Sequence, residues 1–191
     1  MKSSAICREW LKSLPPAQGY LKQEQSIGRE LLLENGMPSS KDEAWRLSNF
    51  SRLNSFLALP MTTNHKDIKS KLRLTLPNKD ENRERIVIEP YKNPMLNINL
   101  PSGIEKLNNR EIKDNLGKVV NSSKIKNDIS VSLNQASSSE LLALKVKRNF
   151  NQSLEIIIPS IEEKSISTRI LLLVEEGAKL DLLQVILGNY N

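Results

Sequence analysis

ENGMPSSKDEAWRLSNFSRL (Glu34 to Leu53) ends one helix, turns the chain and starts another. Asn35-Gly36 is a helix stop, because glycine enters left-handed dihedrals without steric cost. Pro38 cannot extend the helix, so the chain turns there. Ser40-Lys-Asp-Glu43 has the spacing of a capping box, a serine hydroxyl on one backbone N–H and a glutamate returning the bond. Asp42 and Arg46 stand at i, i+4 with the acid first, the order that favours an ion pair. Trp45 and Leu47 fall on nearly opposite faces, which predicts a short helix wedged between two layers with Trp45 as a core anchor.

Working outward, the N-terminal side reads as helical. Ala5, Ile6, Trp10, Leu11 and Leu14 share a helical face that Pro15-Pro16 terminates. A second helix is predicted over Tyr20 to Glu34, with Tyr20, Ile27 and Leu31 on its apolar side. From Pro60 to Glu84 the chain is polar and mixed in charge, which predicts a mobile connection. Beyond it the apolar period becomes two. Ile86 to Pro90, Asp128 to Leu133, Leu142 to Val146, Leu154 to Ile158 and Ile170 to Val174 each predict a strand. Glu176-Gly177 then turns the chain into Leu180 to Leu187. Strands this closely spaced leave no room for crossover helices, which excludes a doubly wound α/β sheet. A β-sandwich, a barrel or a β-helix remains, and no strict repeat chooses among them.

The totals restrict the chemistry. The 191 residues suffice for one domain or two small ones, and an aromatic share of 4% favours several small apolar layers over one large core. The formal charge of +6 raises a basic nucleic-acid-binding module as an alternative function. The densest basic stretch, Lys66 to Arg85, is nevertheless interrupted by Asp67, Asp80, Glu81 and Glu84, as a solvated surface would be. Cys7 is the one cysteine, so no disulfide forms within the chain and a reducing compartment is expected. It reads as a small buried apolar residue, and His65, the one histidine, as a solvated side chain. Neither phosphate-cradling nor nucleophile-elbow glycine patterns occur. Glu162-Glu163 and Glu175-Glu176 are adjacent pairs that a strand would point to opposite faces, so neither is an acid–base dyad. The chain reads as a non-enzyme with no catalytic, cofactor-binding or metal-binding residue of its own. The N-terminus lacks the apolar core of a secretory signal, and the apolar run Ile170 to Val174 is far short of the ~20 residues that span a bilayer. A cytoplasmic protein without a membrane span is the expectation.

Four segments, in order, carry a family resemblance. GMPSSKDEAWR (Gly36 to Arg46), with Leu53 following, resembles the Gly-x-Pro-x-x-x-x-Glu-x-Trp-Arg/Lys motif of the SufB/SufD family of iron–sulfur cluster assembly proteins. IVIEPYKNPMLNINLPSGI (Ile86 to Ile104) and DISVSLNQASSSELLALKV (Asp128 to Val146) resemble the segments that lead that family into its β domain. RILLLVEEGAKLDLLQV (Arg169 to Val185) is similar to a later rung with its Glu-Gly-Ala turn. The SufD branch is the nearer one. The resemblance implies an α+β protein, an N-terminal helical domain followed by the beginning of a right-handed parallel β-helix. The corresponding division is a helical domain over 1–59, a polar linker over 60–84 and a β domain over 85–191.

In function the resemblance implies a non-catalytic scaffold subunit. It would act with a SufB-like paralogue and a SufC-like ABC-type ATPase in a complex that handles an iron–sulfur cluster. Family members are longer, and the C-terminal segments that bind those partners, with the His and Cys positions implicated in cluster building, have no counterpart before Asn191. An N-terminal portion of such a protein is therefore the expectation. Gly36, Pro38, Glu43, Trp45 and Arg46 are expected to be a structural signature of the fold, with Arg46 paired to Asp42.

Overall fold

The computed structural model describes residues 5–39, 41–60, 76–89, 93–95, 98–160 and 164–188. Within them the chain is α+β and divides into two units. The first comprises 1–61, 117–139 and 163–167, and the second 62–116, 140–162 and 168–191. This differs from the sequence division, because residues 117–139 group with the helices and not with the strands.

The helical unit contains α1 (Ala5–Ser13), α2 (Lys22–Asn35) and α3 (Phe50–Ala58). The short α5 (Lys118–Ser122) and α6 (Ile129–Ser137) return to it from later in the chain. Its core joins Cys7, Trp10, Leu14, Leu32 and Leu57 to Ile129, Leu133 and Ala136. The α2 face is rotated from the expected one. Leu21 in the preceding turn and Glu24, Gln25, Gly28 and Leu32 are buried, whereas Tyr20 is half exposed. The reason lies at Gly28, where α6 comes so close that a Cβ would stand 2.5 Å from the Ala136 backbone nitrogen.

α6 corrects the strand expected over Asp128 to Leu133. Asp128 caps the helix by accepting from the Ser130 N–H at 2.8 Å. The buried set Ile129, Ser132, Leu133 and Ala136 has helical spacing, and the alternation Ile129, Val131, Leu133 is a by-product of serine at even positions.

The second unit holds two three-stranded sheets. One has the order β1 (Arg83–Val87), β4 (Ser153–Pro159), β6 (Asp181–Leu187), all parallel. The other has β2 (Ile104–Lys106) antiparallel to β3 (Glu140–Val146), which lies parallel to β5 (Thr168–Val174). Ile86, Leu154 and Ile156 from the first sheet share one core with Leu142, Leu144 and Val146 from the second. Glu140 pairs with Thr168 and Ser153 with Asp181, so the offset is 28 residues in the β3–β5 and β4–β6 ladders, whereas Arg83 pairs with Ser153 in the β1–β4 ladder at an offset of 70. From β3 to β6 consecutive strands thus alternate between the sheets, whereas β2 and β3 are neighbours in one sheet, and both sheets are open at their edges.

Before β3, Asn108 and Glu111 form a capping box at 3.0 and 2.9 Å that starts α4 (Asn109–Asn115). Most of the expected linker, 61–75, lies outside the described residues, as do Ser40, His65 and the Glu162-Glu163 pair. Residues 77 and 78 are held by Arg85, which donates to both carbonyls at 2.7 and 3.1 Å.

Candidate functional site

The five motif residues are placed by turn chemistry. Gly36 is buried at φ 71°, and its N–H donates to the Leu32 carbonyl at 3.1 Å, which closes α2. Ser39 then donates to the Asp42 carboxylate from its N–H at 2.6 Å and its hydroxyl at 3.2 Å. The Asp42 N–H returns a bond to the Ser39 carbonyl at 3.0 Å. Glu43–Trp45 forms one turn of 3-10 helix, and Asn49 caps α3 by accepting from the Arg52 N–H at 3.2 Å.

Two expectations are corrected here. Arg46 is exposed and makes no ion pair with Asp42 among the described residues, and Asp42 Oδ2 instead accepts from Ser39. The Glu43–Trp45 turn is not wedged between layers, because Leu47 is 94% exposed. Trp45 is half-buried and packs against the helical core, so it contributes to that core from its margin. Pro38 is half-buried and Glu43 exposed, and the five residues do not converge on one polar centre. The capping box drawn from Ser40 lies outside the described residues.

The α2–α6 seam gathers polar groups that the apolar period did not reveal. The Gln135 amide donates to the Glu24 carboxylate at 2.9 Å, and Gln25 donates to the Ser138 carbonyl at 2.6 Å. Asn134 donates to the Ser167 hydroxyl at 3.1 Å, and Ser167 lies 3.1 Å from the Ser138 hydroxyl. Buried amides and hydroxyls bonded in this way favour one helix register, because a shifted register loses these bonds, although the Gln135 Oε1 finds no partner among the described residues. Gly28 was the readable signal, a mid-helix glycine retained although alanine would favour the helix by about 1 kcal/mol.

The β unit carries the charges. Arg85 and Glu155 form a buried ion pair on β1 and β4. Lys145 pairs with Glu111, and Lys147 bridges Glu105 at 3.3 Å and Glu175 at 3.2 Å. Those hydrogen bonds hold the Lys147 ammonium above its ordinary pKa and the Glu175 carboxyl below its own. Glu111 is likewise lowered by its bond from Lys145. Arg148 donates twice to the Glu176 carbonyl, at 3.0 and 2.9 Å, and lies over Gly177 at φ 76°. The turn after β5 is therefore clamped to the turn after β3, basic residues against acidic ones. Glu140 stands apart: burial raises its carboxyl from 4.5 to about 7, and the hydroxyl of Thr168 at 3.5 Å offsets this only in part.

These arrangements position backbone. Among the described residues no group of three or more His, Cys, Asp or Glu could hold a metal ion. No helix among them is long and apolar enough to cross a membrane. Cys7 is buried in the helical core. Of the expected basic stretch, Lys79 pairs with Glu84 at 3.4 Å and Arg85 with Glu155, while Lys66, Lys69, Lys71 and Arg73 lie outside the described residues. In comparisons with known proteins, no family model matches the chain and no curated protein matches it.

Proposed function

We propose that the chain is a SufD-like, non-catalytic scaffold subunit of an iron–sulfur cluster assembly complex, acting with a SufB-like paralogue and a SufC-like ABC-type ATPase. In this reading the β unit is the beginning of a right-handed parallel β-helix, and the cluster is cargo of the complex, with no ligand assigned in this chain. The single observation that supports it most is the 28-residue offset shared by two of the three parallel ladders, β3–β5 and β4–β6, one in each sheet. An equal offset in two sheets that share a core is what successive coils of a β-helix require. The four resembling segments supply the family. Gly36, Pro38, Glu43, Trp45 and Arg46 are its structural signature, not ligands.

Immunoprecipitation of the native protein from its own cells, followed by mass spectrometry, tests the proposal. An ABC-type ATPase and a paralogous scaffold should be recovered together. Recovery of the bait without either, or with nucleic-acid-binding proteins in their place, removes the assembly reading.

A further inference from the structure

We draw no further inference here: the strongest candidate, the apolar edge strand β6 where Leu182, Leu183 and Ile186 are exposed, carries nothing because nothing in the structure shows what covers it.

Discussion

Glu140 is the residue whose protonation should be felt by the whole β unit. Its folded pKa of about 7 lies above the ordinary 4.5 that the unfolded chain would show. The folded state thus holds the proton more tightly, so its stability is full below pH 4.5 and is lost as pH rises through about 7. At 1.36 kcal/mol per unit the loss approaches about 3 kcal/mol. Denaturant titrations between pH 4.5 and 8 should show this decline in the native chain and a flatter profile in Glu140→Gln. Parallel profiles would mean that Glu140 is solvated. Arg85 poses the opposite problem, a charge whose removal strands another. Arg85→Met should cost about 3–5 kcal/mol because Glu155 stays buried without its cation, while Arg85→Met with Glu155→Leu should recover most of that. Equal losses in the single and double variants would place the cost in Arg85's bonds to the Pro77 and Asn78 carbonyls. The two tryptophans differ by burial. Trp10 is almost wholly enclosed, so Trp10→Ala should lose about 3–5 kcal/mol, whereas half-buried Trp45→Ala should lose about 1–2 kcal/mol. A Trp45→Ala loss as large as that of Trp10→Ala would make Trp45 a full core residue after all.

Among the elements, what was legible was what an apolar period or a backbone restriction records. Strands β3 to β6 carry Leu, Ile and Val at alternate positions, so their period survives in the sequence. The helix stops at Pro15-Pro16 and Gly36 were legible because proline and glycine act through their own backbone restrictions. α6 was not, because Ile129 and Leu133 satisfy both a two-residue and a four-residue spacing, and what separates the two is the Asp128 cap. The α2 face was misread for a related reason: three of its four buried residues are Glu24, Gln25 and Gly28, which no apolar count registers. Motif residues could be named in the sequence, but Asp42's choice of Ser39 over Arg46 is a matter of turn geometry. The α2–α6 contact makes a prediction that helix propensity alone gets backwards. Gly28→Ala would gain about 1 kcal/mol in an open helix. Here the added methyl meets backbone of α6 as well as the Gln135 side chain, which cannot move away without moving the helix. Overpacking of this kind costs about 1–3 kcal/mol or somewhat more, so a net destabilisation is expected. A higher thermal midpoint in the variant would show that α2 and α6 are not in close contact.

At the scale of the whole molecule, the helical unit is built from segments far apart in the chain. Residues 1–60 look self-contained in sequence, with three helices and their stops. Yet Ile129, Leu133 and Ala136 of α6 complete the core, and Gln135 is the partner of the Glu24 carboxylate. Ser165 adds a further tie, its N–H donating to the Pro60 carbonyl at 3.1 Å. A chain of about 60 residues is marginal even with a complete core. Deprived of α6, residues 1–60 would expose Leu32 and lose the bonds from Gln135 to Glu24 and from Gln25 to Ser138. The isolated segment should therefore show partial helicity by circular dichroism and a broad, non-cooperative thermal transition. Joining residues 1–60 to residues 117–139 through a flexible linker should restore a cooperative transition, since α6 can then return to α2. A sharp transition in 1–60 alone would show that α6 decorates the helical unit instead of completing it, and the division at residue 59 would then describe an independent domain. Failure of both chains to melt cooperatively would point to residues 163–167, whose bond to Pro60 the joined chain lacks.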